Sequence, residues 1–232
     1  MKKNFFYFYL ILTLLQASSD KLIDSLLEAE TYMLLEEYSF AEEEYIKALN
    51  FSPNNVSILT SLYEVNLLQG KIKSAENFIA KAFRLDEENI EIIKKYYDLL
   101  ILQNKNIHAK NIIDKALTIN SNDIKLYYEK IKLLFELKEW VELLDVYNII
   151  YNLTNDHNII DQMQELSVAT NNVNQFIEIM IRIYQDSQRL DHLNRLINVT
   201  YNYAPKLCEE YILLALENDP NNFDLNILLA QY

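Results

Sequence analysis

Three pairs of alanines recur along the first half of the chain at one fixed interval. The alanines of a pair are seven residues apart, and successive pairs are separated by 34 residues; the pairs are Ala41 with Ala48, Ala75 with Ala82, and Ala109 with Ala116. Residues seven apart lie on one face of an α-helix, two turns along. Because small residues on such a face let helices approach closely, the interval predicts stacked helical hairpins that share a continuous core.

The residues around these alanines resemble the repeats of the tetratricopeptide repeat (TPR) family. In the first repeat the family's order of aromatic, small, bulky, small and proline is met by Tyr38, Ala41, Tyr45, Ala48 and Pro53. The later repeats match at Gly70, Ile72, Ala75, Ile79 and Ala82; at Asn104, Ala109, Ile113 and Ala116; at Trp140, Leu143, Tyr147 and Ile150; at Ile177, Ile181 and Tyr184; and at Cys208, Ile212, Ala215 and Pro220. This resemblance implies an all-α fold, a right-handed α-solenoid of about six TPR-like helical hairpins.

Composition agrees with an all-helical chain. One glycine and three prolines in 232 residues leave few places for strands or β-hairpins. We expect one solenoid domain over 20–232, with repeats near 22–55, 56–89, 90–123, 124–157, 158–188 and 189–222 and a partial repeat over 223–232. The expected helices are 21–35, 38–51, 56–69, 72–85, 90–103, 106–119, 124–137, 140–153, 158–170, 173–186, 190–201, 204–218 and 223–231. The last of these is an incomplete C-terminal helix, since it has no second helix to pair with, and self-association through it or a longer natural chain would explain that.

Residues 1–19 have the layout of a secretory signal peptide. Lys2 and Lys3 precede an uncharged run, and small residues follow it before the first acid, Asp20. The apolar run is too short to span a bilayer comfortably, so no membrane span is expected after cleavage. A periplasmic or secreted bacterial protein is therefore predicted. The alternatives are a buried or amphipathic first helix of the solenoid, or an uncleaved segment that tethers the protein to the inner membrane.

In the TPR family, partners bind a concave groove lined by the first helix of each hairpin. Steps of 34 residues place two rows on these helices, and their offset of three puts them on one face. The polar row is Glu30, Glu64, Asp98 and Lys132, and the apolar row is Met33, Leu67, Ile101 and Phe135; Lys94 and Tyr128 are expected beside them. Such a face would suit a basic and apolar peptide or helix. Alternatively, the apolar row belongs to the core and the acids form a solvated rim.

No constellation for catalysis was found. His108, His157 and His192 lie far apart with no paired spacing on one helix, so each is expected at the surface or in a turn, and no metal or cofactor is expected. The single cysteine, Cys208, stands at a small-residue position and is expected to be buried. A formal charge of -13 argues against a nucleic-acid partner.

The sequence therefore predicts a non-enzymatic scaffold for protein interactions in the bacterial envelope, with a self-associating structural component as the alternative. A third possibility is the interaction region of a longer protein whose remainder carries the activity.

Overall fold

The computed structural model describes residues 19–231. These residues form thirteen α-helices and no strand. The helices are α1 (19–34), α2 (Tyr38–Phe51), α3 (Val56–Leu68), α4 (Ile72–Leu85), α5 (Ile90–Leu102), α6 (Asn106–Ile119), α7 (Ile124–Leu137), α8 (Trp140–Thr154), α9 (His157–Ala169), α10 (Val173–Ser187), α11 (Leu190–Tyr203), α12 (Pro205–Asn218) and α13 (Phe223–Leu229). Every helix end lies within two residues of its predicted position, so the prediction of an all-α fold is confirmed.

The chain divides into two compact units. Unit 1 ends at Ser121, and unit 2 runs from Asn122. Within each unit, consecutive helices pack against each other in chain order, as expected for stacked hairpins. The predicted signal peptide, 1–19, lies outside the described residues except for its last position. No helix in the described part of the chain has the length and apolar character needed to cross a membrane.

Asparagine and aspartate side chains start most of the first helices. The side chain of Asn55 accepts a hydrogen bond from the backbone N–H of Ile58 at 3.2 Å. The equivalent caps are Asn89, Asp123, Asp156 and Asn222. Each satisfies an N–H group that the helix itself cannot pair, and so fixes where a hairpin begins.

The hairpin turns contain a left-handed residue that recurs with the repeat. Glu36, Gly70, Asn104 and Lys138 all have positive φ, at steps of 34. The next residue then donates its N–H back into the helix, as Lys71 does to the carbonyl of Asn66 at 2.8 Å. Gly70 and Asn104 were predicted for this conformation, whereas Glu36 and Lys138 carry no residue-type signal for it.

The predicted left-handed position in the fifth repeat is wrong by one residue. Asn171 has φ +59, whereas Asn172 has φ -109. Asn172 instead donates its N–H to the carbonyl of Ser167 at 2.8 Å. The shift arises because α9 begins 33 residues after α7 rather than 34.

The alanine stripe lies at the centre of unit 1. All six alanines of the recurring pairs are at most 1% exposed. Ala41 and Ala48 pack with Tyr45, Ile58 and Leu62 in one cluster. Ala75 and Ala82 pack with residues of α3 and α5 in a second cluster. The small side chains let each second helix lie close to the first helices on either side of it.

The fifth repeat presents different residues to the core of unit 2 than the interval of 34 predicted. Ile181 is partly exposed, whereas Phe176 and Met180 are fully buried and Ile183 is 5% exposed. These three residues repeat the small, bulky, small positions one residue earlier than predicted, which the shortened repeat explains. Cys208 is buried as predicted.

Candidate functional site

The first helices of unit 1 carry the polar and apolar residues that the sequence predicted as a groove. Glu30 and Asp98 are exposed, and Glu64 is partly exposed. Met33 and Leu67 are partly buried against the two core clusters, whereas Ile101 is exposed. The apolar row is thus shared between core and surface, and each of the two readings of the sequence applies to part of it.

Two hydrogen-bond systems join neighbouring helices along this face. The hydroxyl of Tyr45 on α2 donates to Glu30 Oε1 on α1 at 2.6 Å. Burial and the bond to this carboxylate raise the pKa of the Tyr45 phenol, so it stays a neutral donor. Glu30 is therefore fixed in position while it keeps its negative charge.

Lys95 partly neutralises the acidic row, and the sequence analysis did not single it out. Its ammonium lies 2.7 Å from a carboxylate oxygen of Glu64 on α3 and 2.7 Å from one of Glu91 on its own helix. Burial alone would lower the pKa of Lys95, but the two carboxylates outweigh it and raise that pKa. The acids at the two ends of the row, Glu30 and Asp98, are consequently the more available charges. Lys94, the neighbouring groove candidate, is exposed.

A row of exposed leucines accompanies the acids. Leu34, Leu68 and Leu102 end α1, α3 and α5, and they are 86%, 55% and 63% exposed. Each follows an acid of the row by four residues, so the acid and the leucine share one helix face. The period of 34 contained this signal, but the sequence analysis followed only the row one residue earlier.

The remaining groove candidates lie on α7, in unit 2. Tyr128, Lys132 and Phe135 are all exposed. Lys132 pairs with Glu129 at 2.8 Å, and the ring of Phe135 meets Trp140 edge to face, with centroids 5.3 Å apart. At the position that leucine occupies in unit 1, α7 has Glu136. The acid and leucine pattern is therefore a property of unit 1.

Unit 2 contains a side-chain cluster that the sequence analysis missed. The imidazole rings of His157 and His192 lie 5.4 Å apart between centroids, and Asp191 lies beside both of them. His192 is 1% exposed, so its predicted place at the surface or in a turn is wrong. The spacing of 35 residues is not a helical spacing, and only the stacking of α9 and α11 brings these residues together.

Comparisons with known proteins agree with this architecture. No protein-family model matches the sequence, and no curated protein matches it. Among solved structures, a tetratricopeptide repeat protein from Parabacteroides merdae is 14% identical, with a TM-score of 0.51 over 91% of this chain and 98% of that one. The MamA protein is 13% identical, with a TM-score of 0.50 over 80% of this chain and 97% of that one.

The fold of this chain is therefore that of the tetratricopeptide repeat proteins. The similarity concerns the fold alone, since identities are this low. What the protein binds must be argued from its own side chains.

Proposed function

We propose that the protein is a non-catalytic interaction scaffold that binds a basic, amphipathic helix or peptide of a partner protein on the first-helix face of unit 1. The observation that carries this proposal is the leucine row, with an acid four residues before each leucine. Large side chains exposed in a regular row are typical of a surface that is covered by a partner. A partner helix would bury its apolar side against the leucines and direct its lysines or arginines to the acids.

Charge supports the choice of a basic partner. The chain carries 34 acids against 21 basic residues, so association with a basic segment is also favoured at long range. Because Lys95 occupies Glu64, the strongest contacts are expected at Glu30 and Asp98. The exposed groove candidates of unit 2 would extend the contact to a longer partner.

The charge arm of the test is a double reversal on this face. The chain with Glu64→Lys and Asp98→Lys is compared with the wild type as bait in extracts of the native envelope. A second double variant, Glu43→Lys with Glu88→Lys, makes the same charge change at exposed positions of unit 1 outside the first helices. We expect a partner that is retained by the wild type and by the control and lost from the face variant. Equal recovery by all three baits would contradict the proposed face.

The apolar arm replaces leucines rather than charges. Leu68→Ser with Leu102→Ser should weaken capture of the same partner, whereas Leu85→Ser, an exposed leucine at the end of α4, should leave it unchanged. Circular dichroism checks that all variants keep their helix content, which is expected since these leucines lie outside the core. Unchanged capture by the leucine double variant would leave the row without the role proposed here.

We also propose that the scaffold acts in the bacterial envelope, on the strength of the signal-like residues 1–19. Mass spectrometry of the protein from its native cells should then find a new N-terminus after Ala17 or Ser19. An intact Met1 terminus on cytoplasmic protein would contradict export.

Self-association is the second candidate function, and α13 favours it. Phe223 and Ile227 are 74% and 46% exposed and lie four residues apart, on one helix face. A second copy could cover them. Light scattering of the wild type would then show a dimer or larger particle and Phe223→Ser a monomer, whereas a monodisperse wild-type monomer contradicts this candidate.

A further inference from the structure

The cluster of histidines in unit 2 lies where two consecutive hairpin connections meet. The connection from α8 to α9 is Asn155–Asp156, and that from α10 to α11 is Gln188–Arg189. Each is only two residues long and begins with a left-handed residue, whereas the connections of unit 1 are four residues long. The short connections place His157, at the start of α9, against His192, in the first turn of α11.

Three side chains of this cluster offer donor atoms that face each other. His157 Nδ1 lies 3.9 Å from Asp191 Oδ2, and the donor atoms of His157, Asp191 and His192 all lie within 4.8 Å of one another. In a tetrahedral zinc site, with ligand bonds of about 2.0–2.1 Å, neighbouring donors are roughly 3.4 Å apart. Small rotations of the half-exposed His157 and Asp191 side chains close this difference, while His192 remains in place.

The surroundings of His192 hold its ring as the outer shell of a metal site does. Ser187 Oγ lies 2.7 Å from Nδ1, and the hydroxyl of Tyr151 lies 3.1 Å from Nε2. A metal ion that takes one ring nitrogen leaves the other bonded to its partner, which fixes the orientation of the ligand. Burial lowers the pKa of His192, so the imidazole is neutral near pH 7, the form that binds metals.

We propose that His157, Asp191 and His192 form a binding site for a divalent transition-metal ion of the zinc type. Two imidazoles and one carboxylate are ligands that suit such ions, and three protein ligands leave a fourth position for water or a partner side chain. A bound ion would link the first helices of two successive hairpins in unit 2. The site is separate from the first-helix face of unit 1, so either proposal can fail without the other.

Arg189 is the competitor that the ion must displace from Asp191. Its guanidinium makes two hydrogen bonds to the carboxylate, each 3.0 Å long. Both side chains are about half exposed, and ion pairs of this kind are weak. A chelated transition metal can therefore replace the guanidinium.

The test is calorimetric titration of Zn²⁺ into the untagged, metal-free chain, with three variants. We expect one ion per chain in the wild type. His157→Ala should weaken binding by at least about tenfold, the smallest loss that follows removal of even an outer-shell partner. His108→Ala removes an exposed histidine of unit 1 and is the matched control, with unchanged binding expected. Arg189→Gln should strengthen binding, since Asp191 is then released.

A spectroscopic arm identifies the ligands. Co²⁺ bound to the wild type should give the intense visible absorption of a four-coordinate site, and His157→Ala should abolish it. Because His157 and Asp191 are half exposed, variants at these positions should keep the helix content of the wild type. The proposal is overturned if the wild type binds no Zn²⁺, if His157→Ala binds it as well as the wild type does, or if Arg189→Gln brings no gain.

Discussion

At the scale of single residues, the alanine stripe determines how closely the helices of unit 1 pack. Ala75 is fully buried between α3 and α5, in a cluster with Leu59, Ile79 and Leu99. Its methyl group leaves no room for a longer side chain, because protein interiors are packed as densely as organic crystals.

Ala75→Leu should accordingly destabilise the protein by about 1–3 kcal/mol through overpacking. Urea unfolding followed by circular dichroism measures the loss. Ala169→Leu makes the same change at an exposed position at the end of α9 and should be nearly neutral. Equal stability of the Ala75 variant and the wild type would show that the stripe does not lie in the core.

The one-residue shift in the fifth repeat gives a second prediction at this scale. Phe176→Ala should cost about 3–5 kcal/mol, as expected for a buried aromatic residue, because it opens a cavity in the core of unit 2. Ile181→Ala, at the position that the interval of 34 predicted, should cost less than about 2 kcal/mol since Ile181 is partly exposed. If Ile181 proves the more costly of the two, α10 has the unshifted register.

These residues show why the sequence predicted the core of unit 1 better than that of unit 2. Alanine is a distinctive residue at a helix contact, so its recurrence marks the register directly. In the fifth repeat Phe176, Ile177, Met180 and Ile181 are all apolar, and no residue type distinguishes the buried from the partly exposed positions. The register there depends on the length of a turn, which the apolar pattern does not encode.

At the scale of helices, ion pairs between second helices repeat along unit 1. Glu76 on α4 accepts hydrogen bonds from Lys105, at the start of α6, at 2.5 and 2.6 Å. Glu42 and Lys71 form the equivalent pair 34 residues earlier, at 2.5 Å. These pairs connect consecutive hairpins at their outer edge.

Acidification should weaken this connection. The hydrogen bond from Lys105 holds the pKa of Glu76 below its ordinary value of 4.5. The folded state therefore binds this proton less readily than the unfolded chain does, so the stabilisation is complete above pH 4.5 and is lost as the pH falls through the folded-state pKa. Glu76→Gln removes the titration.

We expect the melting temperature of Glu76→Gln to lie below that of the wild type at neutral pH and to approach it as the pH is lowered to about 3. Glu209→Gln, at an exposed position of α12, should show no such convergence. A difference between the Glu76 variant and the wild type that is constant across this pH range would rule out the contribution of the charge.

The helices themselves were predictable because their caps and apolar periods are local signals. The junction that joins His157 to His192 was not, because it depends on two short connections and on the stacking of hairpins 35 residues apart. Lys95 was missed for a similar reason, since its pairing with Glu64 links two different helices.

At the scale of the whole molecule, the two units differ in what their first helices expose. Unit 1 presents acids with leucines, and α7 of unit 2 presents Lys132 with Glu136 and an exposed Phe135. Unit 2 in turn holds the histidine cluster. A scaffold of this kind would bind a basic, amphipathic partner on unit 1 and use unit 2 for separate contacts.

Site-specific photo-crosslinking in the native cells tests the binding face most directly. A photoreactive amino acid is placed at position 68 or 98 on the first-helix face, or at position 43 or 85 as exposed controls on second helices. We expect one partner protein to be crosslinked from 68 and 98 and not from 43 or 85, and its crosslinked segment to be basic and amphipathic. Crosslinks to that protein from the control positions alone, or crosslinks from 68 and 98 only to a second copy of this chain, would contradict the account.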